Sequence, residues 1–446
     1  MPGGSESAHD LRRSRALQIF SLALGAVLGL GLVKFGNPVI LDKAVEWPGN
    51  FWEWLLMAWP IRIGYALLAP VIVASMFCVR WTELKLRWAA AVPLAWLLWQ
   101  LIAGAHTVNV ELTEVTLWHF AACVACFYMG YLVLGQLANP SHFFLGVSVG
   151  FAFALAMGVD QHFGGLEETR RHFWQYVYPS LEDVPPGLLK RMSSDRIFGT
   201  LFYPNSFASA IVLCCPPVLA FLWSLDRLFT PGARIFLVAI FAATALACLV
   251  WTGSKGGWLA ALVVCFAAVL QLRLVRWVKI GLVVGALAFG LGIFAVRFSG
   301  YFARGAPSAV ARLDYWVVAA ATALDHPLVG TGPGTFQIPY GARKRPEAEM
   351  ARTAHNDYLQ QASDSGLPGF ALYALLVVGG LFAAYPGNGR LGSLPLATWL
   401  GLLGWWAHNL VEFGLYIPAL SWLAFTTLGW LIGRNQKTFD KRSGGR

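Results

Sequence analysis

Long runs of apolar residues recur along the chain, separated by polar connections. Most runs are about 17 to 22 residues long, enough for a helix to cross a hydrocarbon core of roughly 30 Å. They do not alternate apolar and polar positions, as the strands of a membrane barrel do. The predicted spans cover residues 16–33, 61–79, 88–104, 117–135, 142–158, 205–225, 234–251, 257–272, 278–296, 366–384, 394–411 and 418–433. The pattern predicts an all-α polytopic membrane protein with about twelve transmembrane helices, and residues 1–446 as a single integral membrane domain.

The composition agrees with a lipid environment. The chain is 57% hydrophobic and 13% charged, whereas about a quarter of the residues of a soluble domain are charged. The net charge is +10. The distribution of the basic residues reflects membrane topology, and we predict no nucleic-acid partner. Lys and Arg of the short connections lie mainly on the side of the N-terminus, and those opposite hold only Lys34, Lys43, Arg62 and Lys255. The positive-inside rule therefore predicts that both termini are cytoplasmic, with residues 16–33 as a retained signal anchor.

Two long connections, residues 159–204 and 297–365, are predicted on the outer side. Loops carried on a rigid scaffold are where function concentrates. The Trp-rich segment 47–59 predicts an interfacial aromatic belt or a short helix on the same surface. We therefore expect the chemistry on the outer face, where the spans present a lipid-borne substrate.

The second long connection ends in His355-Asn356-Asp357-Tyr358, a few residues before an apolar run. Histidine exchanges a proton near neutral pH, and a histidine beside an acid that orients it can serve as a general base. The alternative is a polar helix start that Asn356 or Asp357 caps.

Arg196, Asn205 and Lys255 lie near predicted membrane mouths on the outer side. The planar guanidinium of Arg196 suits a phosphate, although an arginine there can also extend to lipid headgroups. Asn205 follows Pro204 at the start of the sixth span, where a simple helix start is the alternative. Lys255 lies in the glycine-rich turn 252–257, where free backbone N–H groups suit an anion. A tight interhelical turn with a solvated lysine is equally compatible.

Arg312 begins a segment, 312–324, with helical character, and Gly330, Gly332 and Gly334 allow sharp turns after it. Ionisable groups near a membrane are functional candidates, and His408, Asn409 and Glu412 close the eleventh span. For these three, hydrogen bonding between helices is the favoured interpretation. The Cys123–Cys126 pair lies in an apolar span without a second pair, so we predict no metal site.

Five motifs follow one another along the chain. They are Arg196-x-x-Gly199 with Pro204-Asn205, Thr252-Gly253-Ser254-Lys255-Gly256, Arg312-x-x-x-Trp316, Pro327-x-x-Gly330-x-Gly332-x-Gly334-x-Phe336 and His355-Asn356-x-Tyr358-Leu359. In order and approximate spacing they resemble the O-antigen ligase and O-antigen polymerase superfamily. The resemblance covers about residues 190–380 by motif and the whole chain by topology.

The resemblance implies a glycosyltransferase at the periplasmic face of the bacterial inner membrane, so that both long connections are periplasmic loops. Its donor would be a glycan on undecaprenyl pyrophosphate. Its acceptor would be a hydroxyl of lipid A core, of another glycan or of a protein. The resemblance implies neither a metal nor another cofactor.

The resemblance also implies residue roles. Arg196 and Arg312 would engage the donor pyrophosphate, and His355 would activate the acceptor hydroxyl. Guanidinium groups aimed at a departing pyrophosphate stabilise its growing charge, a positioned base contributes about 10²- to 10⁴-fold, and direct attack inverts the anomeric centre. The expected substrate-binding residues are Lys255, Asn356, Asp357, Tyr358 and Asn205.

The chain departs from the family pattern at two positions. The family often has Arg at the position of Lys255, so we assign the lysine a supporting role. It often has Glu where Asp364 is the nearest equivalent, which leaves the role of that acid open.

Several functions remain open beside the favoured O-antigen ligase. A polymerase and a protein O-oligosaccharyltransferase share the same motifs. A transporter predicts charged residues inside the spans and repeat symmetry, whereas these spans are nearly free of charge. A peptidoglycan polymerase of the shape-and-division class predicts a catalytic acid in a large outer loop, for which Asp314 and Asp357 are the candidates.

Overall fold

A computed structural model describes residues 8–80, 88–180, 193–201, 203–303, 305–346, 348–387 and 392–443. Within these ranges the chain forms helices and turns, with no strand. The all-α class predicted from the apolar pattern is therefore confirmed. Residues 181–192 of the first predicted long loop lie outside the described part of the chain.

The helices of the first half are α1 (Ala8–Lys34), α2 (Phe51–Leu56), α3 (Ile61–Cys78), α4 (Trp88–Gly104), α5 (Val110–Tyr128), α6 (Ser141–Asp160), α7 (Leu166–His172) and α8 (Pro204–Trp223). Those of the second half are α9 (Pro231–Trp251), α10 (Lys255–Gln271), α11 (Arg276–Arg297), α12 (Ser299–Ala303), α13 (Pro307–Asp325), α14 (Gln337–Arg343), α15 (Asp357–Ala384), α16 (Leu394–His408) and α17 (Pro418–Ser443).

Each predicted span overlaps one of these helices, and the span 117–135 continues from α5 into a π-helical and a 3-10 turn that end at Gln136. Among the described residues, eight helical segments are long and apolar enough to cross a membrane, and α4 and α10 are shorter apolar helices. The structure thus confirms a polytopic helical membrane protein. The helical segment 312–324 predicted in the second long loop lies within α13, and the Trp-rich segment contains the short helix α2.

Helices α1 and α6 pack with their backbones in contact. A Cβ atom on Gly29 would lie 2.2 Å from the Gly146 carbonyl oxygen, and one on Gly150 would lie 2.1 Å from the Gly29 carbonyl oxygen. Only glycine permits such an approach, and small residues at these positions are typical of helix pairs in membranes.

The last helix, α17, lies in the centre of the hydrophobic core. Trp422 and Trp430 on this helix are almost completely buried, and a Cβ atom on Gly130 would lie 2.0 Å from the Thr426 carbonyl oxygen. By contrast, α11 exposes Trp277, Phe289 and other large apolar side chains. A continuous apolar face of this kind suits contact with lipid tails.

Two contacts between distant segments mark the two ends of the helices. At one end, Arg13 Nη2 donates to Gln136 Oε1 at 2.8 Å. At the other, the Ala419 N–H donates to the Phe35 carbonyl at 3.1 Å. The second end also holds the predicted site residues.

Candidate active site

The carboxylate of Glu412 lies at the centre of a cluster of polar side chains. Glu412 belongs to the connection between α16 and α17 and is 4% exposed. Its Oε1 accepts hydrogen bonds from Arg312 Nη2 and from Asn205 Nδ2 at 2.6 Å. Its Oε2 lies 3.3 Å from His355 Nδ1. One buried acid thus brings together predicted site residues from three separate regions of the chain.

Asn205 connects Arg196 to this carboxylate. Arg196 Nη2 donates to Asn205 Oδ1 at 2.5 Å, while the amide nitrogen of Asn205 donates to Glu412. Pro204 and Asn205 are the first two residues of α8, so the predicted helix start is confirmed. The Asn205 amide is therefore held at a helix start, where its oxygen contacts the Arg196 guanidinium and its nitrogen contacts the Glu412 carboxylate.

The glycine-rich turn between α9 and α10 supplies a second contact to Arg196. The Thr252 carbonyl accepts from Arg196 Nε at 2.6 Å. Gly253 has φ +59°, and a Cβ atom there would lie 3.3 Å from Arg196 Nε. The predicted tight interhelical turn is present, and its glycine lets the arginine pass close to the backbone.

Lys255 is the first residue of α10, directly after its N-cap Ser254. Its ammonium nitrogen lies 4.1 Å from the ring centroid of Tyr301 and 5.0 Å from that of Phe298. These distances are typical of cation–π contacts. The lysine thus faces the start of the second long loop.

His355 has an unusual backbone conformation. Its φ is +49°, in the left-handed region that few residues other than glycine adopt. The imidazole ring packs edge-on against Phe413 at 4.8 Å and nearly parallel to Tyr315 at 5.9 Å. Residues held in such conformations concentrate at functional sites.

The two ring nitrogens of His355 have different surroundings. Nδ1 faces the Glu412 carboxylate, whereas Nε2 makes no hydrogen bond within the described part of the chain. The side chain is 29% exposed. The imidazole is therefore oriented by an acid on one side and open on the other.

The three residues after His355 make structural contacts. Asn356 Oδ1 accepts from the N–H groups of Tyr358 and Leu359, so the predicted cap of α15 is present. Asp357 is fully buried and its Oδ2 accepts from the Leu415 N–H at 2.8 Å. The Tyr358 hydroxyl donates to the Trp406 carbonyl at 3.3 Å.

Asp357 also fixes the other end of the connection that carries Glu412. The backbone N–H of Asp357 donates to the Asn409 carbonyl at 3.0 Å. The short segment that contains His355 therefore also positions Glu412. The sequence gives no direct sign of this contact.

The glycine loop packs against the first turns of α15. Gly330, Gly332 and Gly334 all have positive φ, which confirms the predicted sharp turns. The Gly334 N–H donates to Asp364 Oδ2 at 2.9 Å, and the Gly332 N–H donates to the Asp364 carbonyl at 2.8 Å. Asp364 is fully buried and anchors this loop.

Charge is concentrated around Glu412. Burial alone would raise the pKa of this carboxyl, but the Arg312 guanidinium and the hydrogen bond from His355 lower it to about 2. Burial lowers the pKa of Arg196, an effect that Glu412 opposes and Arg312 reinforces. The cluster thus holds two guanidinium groups around one carboxylate.

Arg312 retains an unused hydrogen-bond donor. Arg312 Nε is buried without a partner in the described part of the chain. Buried donors of this kind are rare in folded proteins, and guanidinium groups bind phosphate oxygens through paired N–H groups. The arrangement is therefore suited to an anion beside a histidine. Among the described residues, no group of three or more His, Cys, Asp or Glu side chains is placed to hold a metal.

Glu412 is the site residue that sequence reasoning underrated. The favoured interpretation, hydrogen bonding between helices, is correct for His408, whose Nδ1 lies 2.6 Å from Ser209 Oγ. Glu412 bonds to Asn205 on α8 and also contacts Arg312 and His355 of the second long loop. An acid directly after an apolar span was the available signal.

The fold and this cluster define a multi-span helical membrane protein with a charged site at one end of its helices. Residues 239–374 match a family model described as O-antigen ligase. The match spans four of the five motifs and supports the resemblance to the O-antigen ligase and polymerase superfamily. The matched region includes Lys255, Arg312 and His355, whereas Arg196 and Glu412 lie outside it. No curated protein matches the chain. The family implies a membrane-bound, glycosyltransferase-like enzyme that acts on lipid-linked glycans.

Proposed function

We propose that this protein transfers a glycan from undecaprenyl pyrophosphate to an acceptor hydroxyl at the periplasmic face of the inner membrane. The favoured acceptor is lipid A core, as in an O-antigen ligase. The observation that carries the proposal is the single carboxylate of Glu412, which contacts His355 and Arg312 and reaches Arg196 through Asn205. The candidate base and the two candidate phosphate ligands thus share one hydrogen-bond network, which supports the proposal.

His355 is the proposed general base. With Nδ1–H directed at Glu412, the lone pair of Nε2 points away from the acid and can accept the proton of the acceptor hydroxyl. The left-handed backbone and the contacts with Phe413 and Tyr315 hold the ring in that orientation. Glu412 acts through His355 as a positioning residue.

Arg196 and Arg312 are the proposed ligands of the donor pyrophosphate. The acceptor oxygen bonds to the anomeric carbon as the bond from that carbon to the phosphate oxygen breaks. The acceptor proton moves to His355, and the electron pair leaves with undecaprenyl pyrophosphate. Guanidinium groups stabilise this charge as it develops. Attack from the face opposite the leaving group inverts the anomeric centre.

The arginines supply the positive charge that a divalent cation often supplies in reactions of pyrophosphates, so we propose a reaction without a metal. Lys255 adds a further positive charge at the start of α10. Its contacts with Tyr301 and Phe298 favour a supporting role beside the two arginines.

The test replaces His355, Arg196 and Arg312 singly by Ala in cells that lack the native activity. Glycan on lipid A core and the pool of lipid-linked donor are measured together, with membrane levels of each variant. We expect transfer to collapse and donor to accumulate. His106→Ala is the matched control, because His106 is an exposed histidine on the same predicted side.

The length of the trapped donor glycan separates the two closest functions. Full-length donor indicates a ligase, and single-repeat donor indicates a polymerase. Wild-type transfer by His355→Ala would show that this residue is structural, and the transporter interpretation would then regain weight.

A further inference from the structure

An open cleft of about 540 Å³ lies in the first long loop, beside α7. Its volume falls within the range of small-molecule sites, which is about 300 to 1,000 Å³. The lining residues are Glu167, Arg170, Arg171, Trp174, Gln175 and Ser193. None of them belongs to the cluster around Glu412.

Trp174 gives the cleft an aromatic surface. Its side chain is 44% exposed, and its ring packs against Phe173 at 5.2 Å and Tyr178 at 4.9 Å. A large ring supported by two others presents a fixed apolar face. The C–H face of a sugar ring packs well on such a surface, because both are flat and apolar.

The remaining lining groups are polar and suit hydroxyls. Arg170 Nη1 donates to Glu167 Oε2 at 3.1 Å, and its Nη2 donates to Asp195 Oδ1 at 2.8 Å. Carboxylate, guanidinium and amide groups together offer both acceptors and donors. An aromatic face with such groups around it fits a glycan, whereas the charges disfavour a lipid tail.

Two consecutive residues link the cleft to the proposed pyrophosphate site. Asp195, which contacts Arg170, directly precedes Arg196, and consecutive Cα atoms lie about 3.8 Å apart. The Asp195 side chain contacts the cleft wall, while the Arg196 side chain contacts Thr252 and Asn205. One short segment therefore joins the two sites.

We infer that this cleft binds the glycan chain of the lipid-linked donor, beyond the sugar that is attached to the pyrophosphate. This inference rests on the proposed function, since it takes Arg196 as a ligand of the pyrophosphate. A glycan whose phosphate end is held at Arg196 has the cleft as its adjoining sugar-binding surface. The site then selects donors by the length of their glycan.

The test measures transfer by purified protein from donors that carry one sugar or several repeat units. Trp174→Ala is expected to raise the KM for the long donor about tenfold, the loss of one stacking contact, and to leave the single-sugar donor unchanged. Trp174→Phe keeps an aromatic face and should recover most of the affinity. The matched control is Trp52→Ala, because Trp52 is 65% exposed and packs edge-on against Phe51 at 5.4 Å.

An equal effect on both donors, or none on either, overturns the inference. A dependence on acceptor length instead shows that the cleft holds the acceptor glycan. Binding of the free oligosaccharide, released from the long donor, is measured by calorimetry in parallel. If Trp174→Ala binds the oligosaccharide more weakly than the wild type does, the cleft is a glycan site even when no transfer occurs. Absence of transfer by the wild type would refute the proposed function and leave the glycan site standing.

Discussion

The Glu412 carboxylate lies 3.3 Å from Nδ1 of His355, although 57 positions separate the two residues in the sequence. The contact depends on Asp357, which binds the Leu415 N–H and the Asn409 carbonyl on either side of Glu412. Because Asp357 follows His355 by two residues, the histidine and its acid are positioned by the same local segment. A displacement of either element would therefore separate the pair.

Glu412→Gln is expected to reduce the transfer rate by about 10- to 100-fold or more, since removing a carboxylate that orients a metal-binding histidine costs about that much. The amide keeps the shape of the side chain but loses its charge. The variant is compared with His355→Ala and with the double substitution, using initial rates in purified membranes.

The double variant should be scarcely worse than His355→Ala alone, because residues that act as one unit give non-additive losses. Losses that multiply would show that Glu412 acts independently of His355, and the assignment of Glu412 as a positioning residue would then be wrong.

Asn205→Ala is expected to weaken donor use by about 10- to 100-fold, since it leaves buried charged groups without a hydrogen-bond partner at a cost of about 1–3 kcal/mol. The amide connects Arg196 to Glu412. The KM for the donor, measured at saturating acceptor, should rise by this factor. Asn50→Ala is the control, because Asn50 also begins a helix but lies outside the site. A fall in kcat with unchanged KM would assign Asn205 to the chemical step.

The sequence predicted the helices and turns correctly where the residues of one short segment determine the local structure. The length of each apolar run predicts a helix because a helix alone satisfies its backbone within one segment, and each predicted span overlaps a helix. The positions of Gly330, Gly332 and Gly334 predict turns for an equally local reason, which their positive φ angles confirm.

The contacts within the site were not predictable in this way. Glu412 is bound by Asn205 and by Arg312 across 207 and 100 positions, and no local pattern encodes such pairs. The motif after His355 also combines two purposes, because Asn356 caps α15 while its neighbour Asp357 fixes a distant connection. Composition alone does not separate these uses from substrate binding.

Stability should depend on pH through Glu412. The pKa of this carboxyl is about 2, below its ordinary value of 4.5. A lowered pKa means that the ionised form stabilises the fold above pH 4.5, and that this contribution is lost as the pH falls towards 2. Its size is about 3 kcal/mol.

Thermal unfolding in detergent from about pH 6 to pH 3 checks this dependence. The gap in Tm between wild type and Glu412→Gln should narrow as the pH falls. Glu168→Gln is the control, since Glu168 is exposed. This substitution should leave the dependence of Tm on pH at low pH unchanged. A gap that stays constant with pH would contradict the assigned charge state of Glu412.

Gly330→Ala is expected to destabilise the protein more strongly than Gly305→Ala does. Both glycines have positive φ, at +64° and +77°, so both substitutions carry the left-handed penalty of about 1–2 kcal/mol. Only at Gly330 would the new Cβ atom also meet backbone, 2.4 Å from the Asp364 carbonyl carbon, whereas nothing lies within 4 Å at Gly305.

The comparison separates backbone strain from collision. Backbone atoms of α15 cannot move aside as a flexible side chain can, so Gly330→Ala must shift the glycine loop. That loop leads into Phe336, which packs in the same small core as Ala354, the residue before His355. We therefore expect lower Tm and reduced transfer for Gly330→Ala, measured beside Gly305→Ala at equal membrane levels. Equal losses in the two variants would mean that φ alone matters and that the contact between this loop and α15 does not support the site.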